Sequence, residues 1–413
     1  MLWNFLKKQY IAPYQNLSRE IYIIFAARII SCLGGFIQPL LTLILTQKLG
    51  YSAAAAGGFS AFIILTRAPS LIIGGKLADW IGRKKVLVFC QIAGAFFYLL
   101  CGLFPNQILM LPCIIIAADF YVAAAPAYES MTADYSTEKT RTASFSLIYL
   151  GVNIGVAVSS IFAGLLFQNH LRLMFFLDAA TTLFAAMLIT FFIKEADWQK
   201  TSDQFSQEVP SESPGFFSLF RLIPVLLLAI LFSFIYEFTY SQWGFLLPLQ
   251  LGNYYGEGGA FRFSILTTLN ASVVVLFTPV LTGLTRRRRP LYMVALSGAV
   301  FGISYMMFAV GHSMSIFLLA GTIFTVAEIL NSIHMRPYLA NRTPPQYLGR
   351  VNSLSMFVQG AGGALGPLII GKIVEPIGFL LTWLFQVGCI LVGAGGMWAL
   401  SKKDKKLAHE VDT

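Results

Sequence analysis

A chain of 413 residues that is 57% apolar and 12% charged, with a mean hydropathy of +0.71, is not a soluble protein; soluble chains carry about 25% charged residues. Long unbroken apolar runs, in place of short alternating segments, exclude a β-barrel and predict helices that cross a bilayer many times. The net charge of +10 raises a nucleic-acid partner, a reading that the distribution of the cations decides.

The chain opens with a polar and aromatic stretch, Met1 to Arg19, containing Pro13 and leading straight into an apolar helix. No cleavable signal peptide is expected there. Runs of about 20 apolar residues then predict twelve spans: 20–46, 55–78, 85–104, 108–132, 143–167, 173–194, 222–249, 262–284, 291–311, 314–337, 351–373 and 377–400. Breakers such as Phe104-Pro105-Asn106 and Gly252-Asn253 separate them. The expected organisation is an N-terminal six-helix bundle (1–194), a cytoplasmic linker (195–220) rich in Ser, Asp, Glu and Pro, and a C-terminal six-helix bundle with a cytoplasmic tail (221–413). The five cysteines (Cys32, Cys90, Cys101, Cys113 and Cys389) all lie in apolar runs without metal-ligand spacing and read as packing residues.

Of the 29 Lys and Arg residues, 23 fall in the termini, the linker and alternate loops, four in the opposite loops, and two, Arg28 and Arg67, inside spans. By the positive-inside rule both termini and the linker are cytoplasmic. The excess charge is thus a topology signal, and a nucleic-acid partner is excluded.

The two halves also resemble each other. Arg141-Thr-Ala-Ser144-Phe-Ser146 after span 4 is matched by Arg350-Val-Asn-Ser353-Leu-Ser355 after span 10, and Pro126-Ala-Tyr128 by Pro337-Tyr338. A duplicated six-helix unit predicts a substrate path at the interface of two halves.

Ionisable residues inside spans are costly and mark candidate functional positions. Asp119 in span 4 and Arg67 in span 2 lie at similar depths, and Arg28 in span 1 and Glu129 in span 4 form a second candidate pair. Glu237 in span 7 and Glu328 in span 10 have no basic residue nearby in their own spans. A carboxyl in a low-dielectric interior can take up and release protons near neutral pH. Asp178, at the start of span 6, reads as structural, and His334, beside Arg336, as a surface residue. Tyr236, Tyr240 and Trp243 surround Glu237 in sequence and are candidates to line a substrate cavity, where aromatic faces and one carboxylate suit lipophilic cations.

Between spans 2 and 3 stands Gly75-Lys-Leu-Ala-Asp79-Trp-Ile-Gly82-Arg83-Lys-Lys, a short charged turn with a worn copy at Gly283-Leu-Thr-Arg286-Arg-Arg-Arg289-Pro290. This stretch resembles the loop 2–3 signature of the major facilitator superfamily. The six-plus-six layout and long central linker agree, so the resemblance covers nearly the whole chain. It implies an all-α membrane protein with twelve transmembrane helices in two pseudo-symmetric six-helix bundles. In that family the motif's aspartate and arginine form a conformational latch with an acid ending span 4 and the N-terminus of span 11. Here Gly75, Asp79, Gly82 and Arg83 match the motif, and Asp134 stands where that acid is expected.

The resemblance extends to twelve-helix drug/proton antiporters through Gly151-x-x-x-Gly155 and Gly164 in span 5, which lacks the group's proline, and through the glycine-rich span 11 from Gly360 to Pro367. Close helix packing explains the same glycines. Span 4 lacks the arginine common in that group, and Asp119 appears nearby instead. Glu328, in Thr325-Val-Ala-Glu328, resembles the span 10 acid of some proton-coupled members.

The function implied is secondary active transport by alternating access, most simply proton-coupled efflux of hydrophobic or cationic compounds. The alternatives are a transporter of a polar metabolite (sugar, peptide or organic anion) and a non-transporting membrane protein. No nucleophile elbow, metalloprotease helix or Walker loop is present, so no enzyme is expected. No metal or cofactor is expected; the proton gradient is the energy source. The partners are a small-molecule substrate, protons and the lipid bilayer of the cell membrane, around a monomer.

Overall fold

The computed structural model describes residues 14–104, 107–137, 139–194, 224–343 and 347–411, and every regular element among them is helical. In chain order the α-helices are α1 (Arg19–Leu33), α2 (Ile37–Leu43), α3 (Ala53–Ile81), α4 (Arg83–Leu103), α5 (Gln107–Asp134), α6 (Arg141–Leu166) and α7 (Leu171–Phe192). They continue as α8 (Pro224–Tyr240), α9 (Leu246–Tyr255), α10 (Gly259–Thr285), α11 (Pro290–Val310), α12 (Met314–Arg342) and α13 (Leu348–Val411). The expected linker 195–220 lies outside the described residues.

Ten helical stretches among the described residues are long and apolar enough to cross a membrane, so the chain is a multi-pass membrane protein. Two of them, Pro224–Thr285 with 62 residues and Arg350–Asp404 with 55, exceed one crossing, since a helix rises about 1.5 Å per residue against a hydrocarbon core of about 30 Å. The first is interrupted by short 3₁₀ turns at Ser241–Trp243 and Gly256–Gly258. The second breaks at Gly378, where φ is +77°, a conformation open chiefly to glycine.

The chain divides into two compact units, Met1–Pro39 with Thr66–Gln207, and Leu40–Leu65 with Glu208–Thr413. In the first unit α1 packs on α6 and α7, and α4 on α5 and α7. The approach of α6 to α1 is backbone-close: a Cβ at Gly155 would lie 2.5 Å from Cys32 Cβ and 2.9 Å from Ile29 O. The Gly151-x-x-x-Gly155 stripe is therefore a packing surface, as small residues are in membrane interiors.

The boundary expected near residue 194 does not separate the units by itself, because Leu40–Leu65 groups with the second unit. The reason is again close packing: a Cβ at Gly371 would meet Ala53 O at 2.5 Å. The Ala53 N–H at the start of α3 donates to Glu375 Oε1 at 3.0 Å, and Thr42 Oγ1 donates to Gly244 O at 2.8 Å. In this second unit α11 packs on α12 and α13, α8 on α13, and α10 on α12.

Candidate functional site

The second unit gathers its intramembrane acids around the end of α8. Tyr240, the last residue of α8, donates its hydroxyl to Glu328 Oε1 at 2.8 Å. Asn270 on α10 donates to Glu328 Oε2 at 2.7 Å and to Thr325 Oγ1 at 3.0 Å. Each oxygen of the half-buried Glu328 carboxylate thus holds one donor, delivered from a different helix. Hydrogen bonds to a charged group stabilise it by about 1.5–3 kcal/mol each, so both donors favour the carboxylate while leaving lone pairs for a third partner.

The aromatic wall lies one residue from Thr325. Phe324 stacks on Trp243 at 4.5 Å and on Tyr240 at 5.5 Å between ring centroids. Glu237, one turn before Ser241, faces the glycine-rich part of α13: a Cβ at Gly363 would sit 3.6 Å from Glu237 Cγ. It forms no hydrogen bond or ion pair among the described residues, and it feels the charges of Glu328 and of Arg336 on α12. Span 10 does therefore carry a cation that acts on Glu237. Tyr236 points elsewhere, its hydroxyl donating to Val294 O on α11 at 2.7 Å.

The first unit holds a mostly apolar cavity of about 240 Å³, lined in part by Arg28, Gln38, Gln91, Tyr121, Tyr128 and Asp178. The Arg28 guanidinium lies 4.5 Å over the Tyr128 ring, and its Nε is buried with no partner among the described residues. Gln91 Nε2 donates to the Tyr128 hydroxyl at 2.7 Å. Asp178 is buried and faces the Tyr121 hydroxyl and the Phe36 N–H. Span 1 makes this possible by breaking: α1 stops at Leu33 and α2 starts at Ile37, which leaves backbone N–H groups unclaimed by the helix.

Arg67 donates to Gln38 Oε1 at 2.6 Å, while Asp119 Oδ1 is buried without a partner among the described residues. No ion pair joins Arg67 to Asp119 there, nor Arg28 to Glu129, which is exposed.

The motif stretch from Gly75 to Lys85 is mostly helical. α3 runs to Ile81, α4 starts at Arg83, and the single residue between them, Gly82, has φ of +112°. That backbone needs glycine. Arg83 forms an ion pair with Asp134 at the end of α5. Lys84 Nζ donates to Thr190 O at 2.8 Å and Ile193 O at 2.6 Å, a cation on the negative end of a helix dipole. Asp79 is exposed and unpaired among the described residues, and Gly75 faces Pro126 at ordinary contact distance.

The sequence profile described as Major Facilitator Superfamily matches residues 23–367. The chain belongs to that superfamily.

This facilitator is 24% identical over 356 residues to a protein of Planococcus maritimus named Na(+), Li(+), K(+)/H(+) antiporter, covering 80% of this chain and 82% of the relative. It is 22% identical over 397 residues to multidrug resistance protein 2 of Bacillus subtilis, covering 94% and 98%. Among solved structures, the nucleoside transporter NupG superposes with a TM-score of 0.75 at 16% identity, covering 93% of this chain and 99% of that one. This last likeness is one of fold.

Sequence reasoning missed the neutral polar partners, Asn270 and Thr325 around Glu328 and Gln91 and Tyr128 around Arg28. Each is a polar side chain in an apolar run, a fainter signal than charge. Asp178, read as structural, is buried and also lines the first unit's cavity. One reading needs correction. His334 is buried, with Nε2 2.8 Å from Thr285 Oγ1, because α12 turns that face onto α10.

Proposed function

We propose that this facilitator exports hydrophobic, cationic compounds in exchange for protons. It crosses the cell membrane twelve times, with both termini cytoplasmic, and works by alternating access. Two stretches of 62 and 55 residues, each long enough for two crossings, support the count of twelve. The observation that carries the function is Glu328, held by Tyr240 and Asn270 beside the stacked Trp243–Phe324 pair.

The chemistry follows from that arrangement. The carboxylate attracts a lipophilic cation, and aromatic faces next to it add cation–π attraction. A proton arriving from outside neutralises Glu328, removes the charge that held the cation, and so makes proton binding and cation binding mutually exclusive. Loss of the proton on the cytoplasmic side restores the anion for the next cation. Glu237, without an ion-pair partner of its own among the described residues, is the second acid that can share this exchange. No cofactor enters; the proton gradient supplies the energy. The test is Glu328→Gln in proteoliposomes: pH-gradient-driven cation flux is abolished while the melting temperature stays near that of the wild type.

One observation favours a second reading. Arg28 lines the first unit's cavity, with its Nε unclaimed among the described residues, and so offers a donor to a polar or anionic substrate group. Under that reading the cargo is a polar metabolite such as an organic anion or peptide. A thermal-shift screen of lipophilic cations against sugars and organic anions at two pH values separates the two. Stabilisation by anions that Arg28→Gln removes would favour the second.

A further inference from the structure

The worn copy of the motif in the second unit lines a recess. Arg287, Arg288 and Arg289, just before α11, line a recess of about 430 Å³ together with Tyr292, Trp398, Ser401 and Lys402. Four cations line it and, among the described residues, no carboxylate does. Asp404, a nearby acid on the same helix as Lys402, is taken by Arg342 at 3.0 Å. All four cations are exposed, so the recess keeps its positive charge.

Its apolar rim points to the kind of anion it fits. Tyr292 and Trp398 are 46% and 49% exposed at the ends of membrane-spanning helices, the depth at which tyrosine and tryptophan sit among headgroups. Lys402 Nζ lies 3.4 Å over the Trp398 ring, so its charge is fixed at the rim. Guanidinium forks match phosphate oxygens in pairs, and the N-terminus of α11 adds the positive end of a 21-residue helix. Basic pockets between membrane helices at a charged interface are suited to phospholipid headgroups.

We propose that this recess binds the headgroup of an anionic phospholipid. The arginine forks take the phosphate oxygens, and Tyr292 and Trp398 lie along the glycerol and upper acyl chains. The recess therefore does more than set topology by its charge: it gives the second unit a specific lipid anchor that the first unit's ion-paired counterpart lacks.

The experiment uses the purified full chain in detergent. Its thermal stability is measured with added phosphatidylglycerol, with phosphatidylcholine, and with inorganic phosphate at matched ionic strength. In parallel, a photoactivatable phosphatidylglycerol is crosslinked to the wild-type chain and the labelled peptides are mapped. Phosphatidylglycerol is expected to stabilise more than phosphatidylcholine, and labelling is expected in peptides containing Arg287–Tyr292 or Trp398–Lys402. Arg288→Gln with Lys402→Gln should weaken the apparent phosphatidylglycerol affinity by about tenfold or more and leave the phosphatidylcholine response unchanged. Equal responses to the two lipids, labelling confined to other peptides, or an unchanged preference in the double variant would overturn the proposal. So would full competition by inorganic phosphate, which would make the recess a site for free anions. The mapping needs only the wild-type chain, so a variant that fails to fold does not leave the question open.

Discussion

The two units bury charge in different ways. The first places an arginine and an aspartate, Arg28 and Asp178, around one cavity, with Tyr128 under the guanidinium. The second gathers two acids, Glu328 and Glu237, near stacked aromatic rings, with Arg336 acting from a distance. Under the proposed function a cation is drawn to the second arrangement, whereas the first sets a guanidinium at its cavity. The halves share the sequence marks of one repeated unit, but the chemistry that suits proton–cation exchange stands in one of them.

The charged loops diverge in the same direction. At Arg83 the cation is spent on Asp134, and Lys84 on the carbonyls that end α7. At Arg287–Arg289 the aspartate of the motif is gone, and the cations line an open recess. One copy holds helices to each other; the other keeps its charge for something outside the protein.

The comparison can be broken at several points. The largest expected effect is at Gly155, where Gly155→Leu forces a side chain into Cys32 and the Ile29 carbonyl. Overpacking of this kind costs about 1–3 kcal/mol or more, to be read as a clear fall in the first unit's melting temperature. An unchanged melting curve would contradict the backbone-close packing of α6 on α1.

Next is Asn270→Leu, which removes one of the two donors to Glu328. A hydrogen bond to a charged group is worth about 1.5–3 kcal/mol, so cation affinity measured by titration at constant pH should change by roughly tenfold or more. Arg28→Gln should leave the same cation affinity nearly untouched. Equal effects of the two variants would erase the distinction between the units.

Gly82→Ala places a side chain on a backbone with φ of +112°, at a cost of about 1–3 kcal/mol. It should destabilise the α3–α4 junction, whereas Gly75→Ala, with Pro126 no nearer than 3.8 Å, should be tolerated. The smallest effect is at Asp79. Asp79 stands in the last turn of α3, exposed and unpaired among the described residues, so Asp79→Asn should shift cytoplasmic-side cysteine labelling toward the inward-facing state only a few-fold. No shift would contradict the latch role that the family resemblance implies for Asp79.

Much of this was legible in the residues because a bilayer imposes simple rules. Apolar runs located the helices, since only satisfied backbone survives in hydrocarbon. Glu328, Glu237 and Arg28 stood out because charge there is expensive. What the sequence hides is helix phase and partner. Tyr236 and Tyr240 are one turn apart, yet one hydrogen-bonds Val294 on α11 and the other Glu328 on α12. Nothing local distinguishes them. Asn270 carried no charge to draw notice, and its meaning comes only from the carboxylate facing it. The grouping of Leu40–Leu65 with the second unit depends on Ala53 meeting Glu375 and Gly371, contacts across more than 300 residues that no periodicity records.

The most direct test of proton–cation exchange is flux through the Glu328→Gln protein in proteoliposomes under an imposed pH gradient. Uptake of a lipophilic cation driven by that gradient should vanish, while the variant keeps a melting temperature near that of the wild type. Gradient-driven flux equal to that of the wild type would contradict the central claim.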